Sequence, residues 1–116
     1  MKLLIVDDVG VNRLTLSALL EDDGHVVEEA GSCAQARARL AASRYDVVLL
    51  DLGLPDGNGL VLIPDIRLHR QTRVVLTSGA DVSGVAALAD GVMTKGESYA
   101  VLQALLASFG DHPSPE

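Results

Sequence analysis

Four short apolar runs in this 116-residue chain end in residues able to do chemistry. Leu3–Val6 runs into Asp7 and Asp8, Val47–Leu50 into Asp51, Val74–Leu76 into Thr77 and Ser78, and Val92–Met93 into Thr94 and Lys95. As strands of one parallel sheet, these runs would deliver three carboxylates, hydroxyls and an ammonium to one edge, where such sheets collect functional groups. Three carboxylates within about 5 Å repel one another by roughly 3 kcal/mol per pair at an effective dielectric near 20. They must hold protons or bind a cation. Oxygen-only ligands select a hard ion, and Mg2+ in particular uses one or two carboxylates, keeps waters and takes a phosphate oxygen. With the ion in place Asp51 stays an anion able to attack phosphorus, Lys95 pairs with the incoming oxygens, and Thr77 donates its hydroxyl to one of them. Positioning and charge stabilisation of this kind are most of what phosphoryl transfer requires of a protein.

The elements that must position these groups are legible in the same pattern. Besides the four runs, Val26–Val27 makes a fifth that fades into Glu28 and Glu29. Continuous β-branched or leucine-rich runs fit strands covered on both faces, whereas the second and fifth suit sheet edges. Between them lie helical signals. Leu16, Leu19 and Leu20 form a stripe closed by Gly24, and Ser32 with Gln35 makes a capping-box pattern. A third stretch, from about Asn58 to His69, has Pro64 in its interior, where proline bends or breaks a helix. A fourth, from Asp81 to Ala89, is short. The last carries Leu102, Leu105, Leu106 and Phe109 at helical spacing. Alternation of strand and helix predicts a parallel sheet with helices on both faces. One domain over 1–110 and a tail or linker stub over 111–116 are expected.

Composition narrows the function classes. Hydrophobic residues make up 48% of the chain, enough for a packed core. A net charge of −7 and only 3% aromatic residues argue against direct nucleic-acid binding. A single cysteine, Cys33, excludes an internal disulfide and a thiolate zinc cluster. No apolar run reaches the roughly 18 residues of a membrane span, and the start is too short for a signal peptide, so a cytoplasmic location is expected. Arg67, Arg70 and Arg73 read as a solvated helix end.

Taken together, Asp7-Asp8, Asn12-Arg13, the stretch Asp51-Leu52-Gly53-Leu54-Pro55-Asp56-Gly57-Asn58-Gly59, Thr77-Ser78-Gly79 and Lys95 resemble a response-regulator receiver domain of bacterial two-component signalling. The resemblance implies an α/β fold. It is a single doubly wound, flavodoxin-like five-stranded parallel sheet in the order 2-1-3-4-5, with helices on both faces. It also implies phosphoryl transfer to Asp51 from a phosphohistidine on a sensor histidine kinase or a phosphotransfer protein. Asp8 would bind Mg2+ directly and Asp7 through water, with the Gly53 backbone carbonyl as a further ligand. Thr77 would move toward the phosphoryl group while Lys95 bonds it. A downstream protein partner, and a homodimer as one option, complete the expected partners.

The chain departs from the family where the signal would leave the site. Val92 stands where an aromatic is usual, and Tyr99 lies on the other side of Lys95. Gly96 replaces a proline with a cis bond, and a non-proline cis bond costs about 2.5–4 kcal/mol. Thr77 and Lys95 are also about one helical turn closer in sequence than the family has them, which predicts a short or irregular fourth helix. A phosphoacceptor switch is therefore the first reading, and a receiver-fold interaction module whose output ignores phosphorylation is the second. An aspartyl-phosphate hydrolase ranks below both, because Gly53 stands where such enzymes carry a second acid. At most the chain would catalyse its own phosphorylation and dephosphorylation.

Overall fold

The computed structural model describes residues 1–69, 71–79, 84–94 and 96–109. Five strands, β1 (Lys2–Val6), β2 (Val26–Ala30), β3 (Val47–Asp51), β4 (Arg73–Ser78) and β5 (Gly91–Thr94), form one parallel sheet in the order β2-β1-β3-β4-β5. The described residues also form four α-helices, α1 (Gly10–Asp22), α2 (Cys33–Ala42), α3 (Ile63–Arg67) and α4 (Tyr99–Ser108). This is the doubly wound architecture expected from the sequence.

Side chains alternate across a strand, so a run buried on both faces feeds two cores. Leu4, Val6, Val48, Leu50, Val74 and Leu76 point to one face and pack with Ala36 and Leu40 of α2 and Ile66 of α3. Leu3, Ile5, Val47, Leu49 and Val75 point to the other, against Leu20 of α1 and Leu102 and Leu106 of α4. The central strand β3 is buried throughout, Asp51 included, whereas β2 at the edge is mostly half-buried.

Local signals set the helix ends. Gly24 takes φ +93; its N–H donates to Glu21 O and that of His25 to Leu20 O, which is a Schellman close to α1. Ser32 Oγ accepts from Gln35 N at 3.1 Å, as a capping box requires. The Gln35 side chain, however, reaches Gly31 N at 2.7 Å rather than Ser32 N. Pro64 divides the third stretch as expected. A 3-10 turn over Gly59–Leu62 precedes α3, and the proline falls in the first turn of that helix, where its missing N–H has no intrahelical role. In the stretch expected as a short fourth helix, residues 80–83 lie outside the described residues, and a single 3-10 turn covers Ala86–Leu88. The expected tail, 111–116, also lies outside them. No helix among the described residues is long and apolar enough to cross a membrane.

Arg67, in the last turn of α3, and Arg73, at the start of β4, are exposed, and both converge on Asp90. The separations are 3.1 Å and 3.6 Å, and Arg67 Nη2 also donates to Leu88 O at 3.0 Å. Arg70 lies outside the described residues. Asp90 in addition accepts from Val74 N at 2.8 Å while its own N–H donates to Val74 O, so it lengthens the β4–β5 ladder by one side-chain rung. Burial pushes its carboxyl pKa up. The Val74 N–H and the two guanidinium groups outweigh that and leave it below the usual carboxylate value. A depressed folded pKa stabilises above the unfolded value near 3.9, and the contribution is lost as pH falls through the folded one. Asp90→Asn is expected to cost about 1–2 kcal/mol at pH 7. Urea melts should show the gap to wild type closing below about pH 4; a constant gap would contradict the ion-pair account.

Candidate functional site

Asp7 sits where β1 hands over to α1. Its N–H donates to Ala30 O at 3.0 Å, which extends the β1–β2 ladder and fixes its backbone. Oδ1 accepts from Val9 N at 2.8 Å, turning the chain into α1, and Asn12 Nδ2 stands 3.5 Å from Oδ2. Arg13 holds the same corner from the helix. Its Nη1 donates to Asp7 O at 2.6 Å and its Nε to Glu29 Oε1 at 3.2 Å, while Ser17 Oγ orients Glu29 at 3.0 Å. Asn12 and Arg13 thus act on Asp7, and the glutamates of β2 have a structural use that the fading of its apolar run did not announce.

Asp51 ends β3, and only 4% of it is exposed. Its Oδ1 accepts from Gly53 N at 3.2 Å. In the sheet register Asp51 pairs with Thr77 and Ser78 with Thr94, so β4 brings the half-buried Thr77 beside the acid. Carboxylate oxygens of Asp7, Asp8 and Asp51 lie within 4.8 Å of one another, two of the three residues buried and Asp8 exposed. All donors are oxygens, and the exposed member leaves room for water on the ion, so the set fits a small hard divalent cation. A cleft of about 220 Å³ opens alongside, with Asp7, Thr15, Thr77, Met93 and Glu97 in its walls.

Lys95 lies outside the described residues. Beside it, Gly96 has φ +95, a conformation that favours glycine, and Glu97 N donates to Thr94 O at 3.1 Å. Gly96 takes that conformation where the family has proline, and no cis bond occurs among the described residues. Val92 is half-buried against the core beneath α2 and α3. Tyr99 donates instead to Asp23 Oδ2 at the end of α1, at 2.8 Å.

The loop after Asp51 holds two features that the sequence did not disclose. Gly53–Leu54 and Gly57–Asn58 pair antiparallel as a small hairpin with Pro55 and Asp56 at its tip. Asp56 reaches from that tip to α2, accepting from Cys33 N at 2.8 Å and Ala34 N at 3.1 Å. Gly59 closes the loop, its N–H donating to Leu52 O at 2.9 Å; a Cβ built on it would stand 2.3 Å from Asp51 O. Gly59 is visible in the motif, but its need to be glycine arises from a backbone approach that no spacing reveals. Cys33, the chain's single cysteine, is buried at the start of α2, with Sγ 3.9 Å from where a Cβ on Gly57 would be.

Residues 3–106 match the family model of the response regulator receiver domain. A solved response regulator receiver domain from Methylobacillus flagellatus has a TM-score of 0.85 at 29% identity, covering 94% of this chain and 98% of that one. A response regulator from Burkholderia pseudomallei, solved with a phosphorylated aspartic acid, calcium ion and citrate, has a TM-score of 0.82 at 26% identity over 95% of this chain and 69% of that one. The DNA-binding transcriptional activator DevR/DosR of Mycobacterium tuberculosis is 40% identical over 104 residues, 86% of this chain and 46% of that protein. The chain spans about half the length of the curated relatives it matches. These relatives correct the expectation of no direct nucleic-acid binding: a protein 40% identical to this chain is a DNA-binding transcriptional activator. The acidic charge behind that exclusion describes these 116 residues and not a protein that contains such a domain.

Proposed function

Because the chain belongs to the response-regulator receiver family, we propose that Asp51 accepts a phosphoryl group from a phosphohistidine with Mg2+ bound beside it. The observation that carries this reading is the convergence of Asp7, Asp8 and Asp51 within 4.8 Å. The phosphorylated aspartic acid and metal ion of the Burkholderia pseudomallei relative support the same chemistry. A carboxylate oxygen of Asp51 forms the new P–O bond as the P–N bond to the imidazole breaks and the electron pair leaves with the ring. Bound Mg2+ supplies charge neutralisation to the carboxylates and to the phosphoryl oxygens. Asp8, Asp7 and the Gly53 backbone carbonyl would hold the ion. Thr77 donates its hydroxyl to a phosphoryl oxygen and Lys95 pairs with another. The domain of this reading is 1–110, and it works in the cytoplasm, where Mg2+ and phosphodonors are held.

Incubation with Mg2+ and acetyl phosphate followed by intact mass is expected to add one phosphoryl group. Chelation of Mg2+ or Asp51→Asn should abolish the gain, and a label that survives in Asp51→Asn would sink the assignment. Val92 and the single described turn before β5 favour a second reading, in which the domain is phosphorylated without passing the change on. Amide exchange over residues 84–94 that is identical with and without phosphate would select that reading.

A further inference from the structure

Asp51 and Thr77 lie on strands of the sheet, and Asp7 directly follows one. The hairpin is different. It has two pairs, Gly53 with Asn58 and Leu54 with Gly57, and its residues are exposed or half-buried. An isolated two-stranded hairpin is marginal in water, so this one needs anchors. Its base is tied by Gly59 N to Leu52 O, and Asn58 Oδ1 caps the following turn through Leu60 N at 2.9 Å. Leu54 packs on the core, and among the described residues Asp56 is what ties the tip by hydrogen bonds.

Those two bonds also complete α2. Of the N–H groups in its first turn, Gln35 N goes to Ser32 Oγ, whereas Cys33 N and Ala34 N go to the carboxylate of Asp56. A negative charge there is further favoured by the helix dipole. The bond from Cys33 N, then that from Ala34 N, hold the Asp56 carboxyl below its usual pKa. A helix buried by Ala36 and Leu40 is thereby used as a fixed post for an exposed loop.

We propose that Asp56 is a positioning residue of the acceptor site. By gripping the start of α2 it holds the hairpin, and with it Gly53, whose N–H bonds Asp51 and whose carbonyl serves the metal. This inference rests on the Mg2+ reading given above. It makes Asp56 act through Gly53 and not on the phosphoryl group itself.

The test compares two variants that weaken the same helix end. Calorimetric Mg2+ titration and thermal melting are run on wild type, Ser32→Ala, Asp56→Ala and Asp56→Asn. Ser32→Ala removes a cap of α2 without touching the hairpin, so it should lower Tm and leave the Mg2+ dissociation constant unchanged. Asp56→Ala should lower Tm and raise that constant about tenfold, the scale of a lost supporting contact at a metal site. Asp56→Asn, which keeps one acceptor oxygen, should recover part of the affinity. Unchanged affinity in folded Asp56→Ala, or an equal loss in Ser32→Ala, overturns the proposal. If Asp56→Ala does not fold, Asp56→Asn against Ser32→Ala decides in the same way. Wild-type protein that binds no Mg2+ sinks the acceptor-site reading itself and the proposal with it, a result distinct from either variant pattern.

Discussion

Gly59→Ala is expected to lower the melting temperature by roughly 12 °C and to impair phosphoryl uptake at Asp51. The added methyl carbon would lie 2.3 Å from Asp51 O and 3.2 Å from both Asp51 C and Leu50 Cδ1. The nearest of these is backbone at the end of the central strand, which is hydrogen-bonded on both sides and cannot turn away as a side chain could. Overpacking typically costs 1–3 kcal/mol, and backbone as the obstacle puts this case at about 3. At roughly 4 °C per kcal/mol for a domain of this size, the shift follows. Relief requires moving Asp51, the proposed acceptor, or Gly59 and the loop it closes. Gly53→Ala is the control for stability, because a methyl there meets nothing within 4 Å. A Gly59→Ala protein that melts within 2 °C of wild type would show that the loop yields freely.

The second large effect concerns charge. Metal-free wild type carries three carboxylates within 4.8 Å, and two of those residues are buried. The exposure of Asp8 screens its share of the repulsion below the roughly 3 kcal/mol per pair of an interior estimate. Asp8→Asn should therefore stabilise the metal-free protein by about 1 kcal/mol. The order reverses with metal. Mg2+ at a hundred times its dissociation constant stabilises wild type by about 2.7 kcal/mol, whereas Asp8→Asn, lacking a proposed ligand, should gain almost nothing. Thermal melts in chelator and in Mg2+ read all four states. Equal Mg2+ stabilisation of both proteins would remove Asp8 from the site.

What the sequence discloses here is what periodicity and strand ends encode. Val47–Leu50 is continuous because β3 feeds both cores, and the acid that follows is carried to the sheet edge by that same strand. The pairing of Asp51 with Thr77 follows once the two strands are neighbours. Pro64 announced the break in the third helix and Gly24 the end of the first. Contacts between residues distant in sequence are not encoded this way. Asp90 gathers Arg67, Arg73 and Val74 N, and nothing local marks it as their partner. Asp56 looks like an ordinary turn residue after proline until α2 is seen beside it. Gln35 has the spacing of a reciprocal cap, yet its side chain takes the neighbouring N–H. The partner expectation failed for another reason: net charge describes only the residues counted, and a relative more than twice the length of the matched stretch is a DNA-binding activator.

The placement of Cys33 has a practical side. The chain's single thiol lies under the hairpin that follows Asp51, with Gly57 as its roof. Burial, and then the charge of Asp56, push its pKa up, so a closed hairpin presents an alkylating reagent with a covered and protonated sulfur. Reaction at this one atom then scales with the fraction of time the sulfur is uncovered when reclosing outpaces alkylation. The molecule carries a native chemical probe of the loop beside Asp51, readable by mass without adding any label site.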